Sequence, residues 1–89
     1  MLAIRSSIEP AVHTFVDRKQ HHITVEVTLP GVQKDTILLR VNASSMFVQA
    51  SARHTSYAKY ILLHHPVVHH LANAVFRQDR LCVILPLKG

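Results

Sequence analysis

The chain has 89 residues, of which 48% are hydrophobic, and ten Lys or Arg against five Asp or Glu give it a formal net charge of +5. This length allows one domain with one modest core and excludes two independently folded domains. The single cysteine, Cys82, excludes an internal disulfide and a zinc cage built from several cysteines. No apolar run reaches the roughly 18 residues of a membrane span, and the first ten residues lack the apolar stretch of a secretory signal. We therefore expect a soluble, cytoplasmic protein with no membrane partner.

Apolar and polar residues alternate with a period of two along most of the chain, and helical periodicity is weak. In chain order, the alternation predicts short strands at residues 11–17, 23–29, 37–41, 46–50, 60–63, 74–76 and 81–85. The polar residues 77–80 predict a tight hairpin turn between the last two strands. About seven short strands at intervals of about 8–12 residues predict an all-β fold, a small antiparallel sandwich of the immunoglobulin-like kind. It would occupy residues 11–89, after a short N-terminal segment at residues 1–10.

The basic residues are dispersed along the chain, and only Arg18 and Lys19 are adjacent. Dispersed cations on a small β domain keep it soluble and protect strand edges more often than they bind phosphates. We therefore expect no nucleic-acid partner.

Residues 64–70 read His-His-Pro-Val-Val-His-His, and His65 and His69 could converge on a metal if the segment folds back at Pro66. Adjacent residues on a strand point to opposite faces, so each histidine pair offers one ligand in a given direction. The run contains no carboxylate or cysteine to complete a ligand shell. We expect polar loop histidines and no metal cofactor, with a histidine-based metal carrier as an alternative.

No enzyme motif is present. The chain lacks Gly-x-Ser-x-Gly, and its two glycines, Gly31 and Gly89, cannot form a glycine-rich phosphate loop. Cys82 lies between Leu81 and Val83 in a predicted strand, where a buried and inert thiol is expected. We therefore expect a protein that is not an enzyme and uses no cofactor.

Three segments, in this order and spacing, resemble the α-crystallin domain of small heat-shock proteins. Residues 25–37 are similar to the family's strand followed by Leu-Pro-Gly-Val, polar and acidic residues and Ile. Residues 61–66 resemble the strand that ends in Leu-Pro, and residues 74–86 match the spacing of the family's Ala, Leu, alternating strand and Pro signature. The resemblance extends from about residue 11 to residue 88.

The chain departs from the family pattern at three places. Asp79 occupies a hairpin position where the family usually has Gly. The connection between Ala52 and Tyr60 is too short for the long loop whose strand many members exchange between partners. Leu87-Lys88-Gly89 contains no Ile-x-Ile tail, so the resemblance implies a homodimer or small homo-oligomer and no large cage.

The resemblance implies an ATP-independent holdase-type chaperone that binds partly unfolded clients through apolar grooves and sheet edges. It places a groove between strands at residues 37–41 and 71–75, with the candidate residues Leu39, Val41, Leu71 and Val75. Leu38 and Phe47 alternate away from the core-facing residues of their strands and are candidates for an exposed apolar patch. The alternative is a CS-domain-like adaptor that binds one folded partner, which the short connection and the missing tail favour.

Overall fold

The structure, a computed structural model, describes residues 7–89. These residues form eight strands and two 3-10 turns, at Lys34–Thr36 and His69–Leu71. The strands are β1 (Ser7–Ile8), β2 (Ala11–Asp17), β3 (His22–Thr28), β4 (Leu38–Val41), β5 (Ser45–Ser51), β6 (Ser56–Leu62), β7 (Asn73–Arg77) and β8 (Arg80–Pro86). In this part of the chain, no helix is long and apolar enough to cross a membrane.

The strands form two four-stranded sheets, and the predicted all-β sandwich is confirmed. The first sheet has the order β1-β6-β5-β4, and the second has the order β2-β3-β8-β7. All neighbouring strands are antiparallel except β1, which runs parallel to β6. β1 was not predicted and falls within the N-terminal segment at residues 1–10, of which residues 1–6 lie outside the described part.

Alternate residues of the central strands form the core between the two sheets. This follows from the period of two, because successive side chains of a strand point to opposite faces. The buried set comprises Ile23, Val25 and Val27 of β3, Met46, Val48 and Ala50 of β5, and Leu81, Val83 and Leu85 of β8. The apolar alternation therefore predicted the inward faces of β3 and β5 correctly, but it assigned no face to β6, which begins at Ser56 and not at residue 60.

The hairpin between β7 and β8 turns at Gln78 and Asp79, as the polar residues predicted. Both residues have positive φ, 49° and 65°, as a two-residue hairpin turn of the primed type requires. The Asp79 carbonyl accepts a hydrogen bond from the Leu29 amide at 2.7 Å, and its Oδ1 accepts one from the Gly31 amide at 3.4 Å. Asp79 therefore adopts the conformation expected of the family's glycine and also contacts the end of β3.

The edge strands of the two sheets lie at two opposite sides of the sandwich. β1 and β2 are separated only by Glu9 and Pro10, so these two edge strands lie at one side, here called the β1/β2 side. The other edges, β4 and β7, lie at the opposite side, here called the β4/β7 side. There the Val67 amide donates to the Ala43 carbonyl just after β4, at 2.8 Å, and fixes the segment that leads into β7.

Candidate binding groove

Two inward-facing side chains of β4 are incompletely covered. Leu39 pairs with Val48 and Val41 pairs with Met46, and both partners belong to the buried core. Directly paired residues of antiparallel strands project to the same face, so Leu39 and Val41 point between the sheets. Both are nevertheless only half-buried.

The facing edge strand, β7, shows the same incomplete burial. Ala74 pairs with Val83 and Phe76 pairs with Leu81, so both also point between the sheets. Val83 is 0% exposed, whereas Ala74 is exposed and Phe76 is half-buried. The layers therefore do not close at the β4/β7 side, and Leu39, Val41, Ala74 and Phe76 form what we call the open seam.

The sequence candidates do not all lie at the open seam. Leu39 and Val41 do, and Leu71 lies in the 3-10 turn before β7, where it is 57% exposed. Val75 pairs with Cys82 and alternates with Ala74, so it lies on the outer face of the second sheet. The register of the β7–β8 hairpin determines this orientation. The family resemblance that suggested Val75 gave only its position along the chain and not which strand residue it pairs with.

The sequence reasoning missed Ala74 and Phe76. A two-residue turn at Gln78 and Asp79 makes Arg77 face Arg80, and counting back from that pair places Ala74 opposite Val83. Residues 81–85 read Leu-Cys-Val-Ile-Leu, which is apolar at every position. The sequence therefore indicates the register of the hairpin but not which face of β8, and hence of β7, points inward.

Leu38 and Phe47 belong to a second surface, the outer face of the first sheet. Phe47 lies between Arg40 of β4 and Tyr60 of β6 in the strand register. Leu38, Arg40, Phe47 and Tyr60 contribute to a shallow depression of about 370 Å³. This face contains exposed Leu62 as well, so it presents apolar area that is separate from the open seam.

The histidine-rich segment forms a surface loop with one 3-10 turn. His65 is half-buried, His69 is exposed, and the His69 ring stands edge-on to the His70 ring with 5.9 Å between centroids. Between residues 7 and 89, no three His, Cys, Asp or Glu side chains are grouped closely enough to hold a metal ion. The predicted pair is therefore not extended by a third ligand in this region.

Cys82 differs from its predicted environment. It was expected to be buried, but it is half-buried and lies on the outer face of the second sheet, between Glu26 of β3 and Val75 of β7. The expectation was wrong because its neighbours Leu81 and Val83 face the core, and alternation turns the residue between them outward.

Comparison with known proteins gives structural matches only. No protein-family model matches the chain, and no curated protein sequence matches it. Heat shock protein 16.0 from Schizosaccharomyces pombe superposes with a TM-score of 0.83 at 17% identity, covering 97% of this chain and 71% of that chain. HSP18.5 from E. histolytica has a TM-score of 0.84 at 11% identity, with 93% and 91% covered. The hspA protein from Xanthomonas axonopodis has a TM-score of 0.78 at 14% identity, with 93% and 97% covered.

The chain has the fold of the small heat-shock proteins. The predicted resemblance to their α-crystallin domain is thereby confirmed at the level of the fold. Identities of 11–17% transfer no residue roles from these proteins to this chain.

Proposed function

We propose that this chain is an ATP-independent, holdase-type chaperone domain that binds partly unfolded client proteins at the open seam. The observation that carries the proposal is that inward-facing apolar side chains of both β4 and β7 remain exposed to solvent. The shared fold with small heat-shock proteins supports it. Clients of this kind would be other proteins of the cytoplasm, and the activity would need no cofactor.

The seam suits an extended apolar segment more than a folded partner surface. β4 and β7 are both edge strands, so each has unpaired backbone groups to which an extended client segment can add. Alternate side chains of such a segment would point between the sheets, towards Leu39 and Phe76. Unfolded proteins expose segments of this kind, whereas folded proteins bury them.

We expect the open seam to bind a client segment with low affinity, as a chaperone that holds its clients only transiently requires. Burial of two large apolar side chains contributes about 3–6 kcal/mol, and much of that is offset by ordering the client and the loss of its free motion. A dissociation constant in the millimolar range or weaker is therefore expected for one such segment. Binding of this strength is reversible without a nucleotide.

Two matched substitutions on one strand test the proposal. Leu39→Asp places a charge in the open seam and should abolish suppression of client aggregation, because a carboxylate there would have to lose its hydration when the client binds. Leu38→Asp is the control, since it puts the same side chain one residue earlier on the outer face. It should retain suppression. Loss of activity in Leu38→Asp with retention in Leu39→Asp would assign client binding to the outer face instead.

A second variant covers the case in which Leu39→Asp fails to fold. Ala74 is exposed on the opposite wall of the seam, so Ala74→Asp removes no core packing. It should give an unchanged circular dichroism spectrum and reduced capture of a heat-denatured client. Full activity of folded Ala74→Asp would count against the seam.

The alternative function is a CS-domain-like adaptor that binds one folded partner. It is favoured by the connection between β5 and β6, which comprises only residues 52–55 and is closed by a 2.7 Å hydrogen bond from the Ala52 amide to the Thr55 carbonyl. This connection contains no strand for exchange between copies. Affinity purification that yields one stoichiometric partner would support the adaptor, and many denatured partners would support the chaperone.

A further inference from the structure

The four sheet edges differ in length and in protection against pairing. Of the edge strands described, β4 has four residues, β7 has five and β2 has seven, while β1 has two and leaves residues 58–62 of β6, which include Lys59, without a neighbouring strand in the described part of the chain. β4 contains Arg40 and β7 contains Arg77, and these cations repel the same strands of a second, like-charged copy but not a short uncharged client segment. β2 reads Ala-Val-His-Thr-Phe-Val-Asp and contains no Lys, Arg or Pro. It is therefore the longest and least protected edge of the sandwich.

We propose that β2 pairs with β2 of a second copy of this chain, in antiparallel orientation about a two-fold axis at Thr14. The two four-stranded second sheets would then become one continuous eight-stranded sheet. A seven-residue antiparallel pair adds about six to eight backbone hydrogen bonds. The proposal is independent of client binding, because β2 and the open seam lie on opposite sides of the sandwich.

The register follows from the strand itself. Centring the axis on Thr14 pairs all seven residues of β2, whereas moving it by one residue either way leaves two residues of each strand unpaired. An axis between two residues would pair inward-facing with outward-facing side chains, which the burial of one face forbids. Thr14 therefore lies opposite Thr14 of the other copy.

The inward face of β2 supports this register. Val16 pairs with Ile23, which is 1% exposed, yet Val16 itself is 41% exposed. In the proposed pair, Val12 of the second copy lies directly opposite Val16, at a distance where apolar β-branched side chains pack. Each copy would thus cover apolar area that the other leaves in solvent.

The outward face supports it as well. The His13 and Phe15 rings stack with 5.5 Å between centroids and 25° between planes, and Phe15 is 49% exposed. In the proposed register, Phe15 faces the second copy's His13, so two stacks merge into one cluster of four rings. Cross-strand aromatic pairs stabilise sheets in this way.

Charge distribution favours the approach of two copies at this edge. The chain has a formal charge of +5, but within β2 the only formally charged residue is Asp17. Beyond the strand ends, the same register brings Lys19 of one copy near Glu9 of the other. The Glu9 side chain is 73% exposed even though it pairs with Lys59 of its own chain, so it has free acceptor capacity.

Charge reversal across the axis tests both the surface and the register. Light-scattering mass measurements should give twice the mass of one chain for the unchanged protein, and the mass of one chain for both Thr14→Lys and Thr14→Glu. An equimolar mixture of the two variants should recover the doubled mass, because Lys then faces Glu. A single-chain mass for the unchanged protein, or an undiminished mass in both variants, would overturn the proposal.

Asn73→Lys is the matched control for folding and for charge. Asn73 is an exposed polar residue on β7, the opposite edge of the same sheet, so the substitution adds the same cation away from β2. Its mass should equal that of the unchanged protein. All variants should retain the circular dichroism spectrum of a β-sandwich, since Thr14 is exposed and its removal empties no core volume.

Disulfide trapping gives an independent measure of the register. In a Cys82→Ser background, Thr14→Cys should form a cross-linked dimer on mild oxidation, because residues on a two-fold axis bring their Cβ atoms within disulfide range. Asn73→Cys in the same background should stay uncross-linked. Equal cross-linking of both variants would indicate random collision and would count against β2 pairing.

Discussion

The two sides of the sandwich are both incompletely covered, but they differ in what they leave exposed. At the β4/β7 side, short edge strands that contain arginines flank incompletely buried apolar side chains between the layers. At the β1/β2 side, a seven-residue strand without Lys, Arg or Pro exposes its backbone along its whole length. If both proposals hold, edge length and edge charge, more than apolar area, distinguish a surface that binds transient apolar segments from one that binds a second copy.

The largest expected effect compares an edge residue with a central one of the same type. Leu85 of β8 is 0% exposed, so Leu85→Ala should lower the free energy of unfolding by about 2–5 kcal/mol, through lost burial and the cavity left behind. Leu39→Ala should cost less than half as much, about 1 kcal/mol, because Leu39 already contacts solvent. Urea unfolding monitored by circular dichroism measures both. Equal losses would mean that the β4/β7 side is closed in solution.

Sequence reasoning predicted the core of this fold because alternation is local. Residues 23–29 show the period of two without interruption, residues 81–85 form a continuous apolar run, and both belong to central strands. The sequence does not predict β1, because two residues are too few to show alternation. The strand is defined by its pairing with Ser56 and Tyr57, which are distant along the chain.

The open seam was predicted only in part, for a related reason. Leu39 and Val41 follow from the alternation of their own strand. The inward orientation of Ala74 and Phe76 can be assigned only when the register of the β7–β8 hairpin is known. Their exposure depends in addition on whether the facing sheet extends far enough to cover β7. The extent of the facing sheet is set by the topology of the whole domain and cannot be predicted from residues 74–76 alone.

An intermediate effect is expected at the β1/β2 side. Phe15→Ala should raise the dissociation constant of the proposed β2 dimer by about 5–150-fold, since it removes two cross-strand aromatic pairs that each contribute about 0.5–1.5 kcal/mol beyond the area they bury. Sedimentation equilibrium measures this constant. In the Thr14→Lys background, the same substitution should change the unfolding free energy little, because Phe15 is half in solvent in a single chain. A larger loss in that background than in the dimer would indicate that Phe15 stabilises the single chain.

The smallest effect is expected for the ion pair that joins the two sheets at the β1/β2 side. Lys59 Nζ lies 3.0 Å from Glu9 Oε2, and both side chains are partly in solvent. Such pairs contribute about 0–1 kcal/mol, so Lys59→Met should lower the unfolding free energy by no more than about 0.5 kcal/mol.

Lys88→Met is the matched control for that substitution, since Lys88 is an exposed lysine near the C-terminal end of the second sheet. Guanidinium and urea unfolding of the two variants should agree within error if β1 is held by its strand pairing with β6 and by the burial of Pro10. A loss above about 1 kcal/mol for Lys59→Met alone exceeds what an exposed pair supplies. The two-residue β1 would then depend on the charge pair, more than on its strand pairing with β6, for its place in the first sheet.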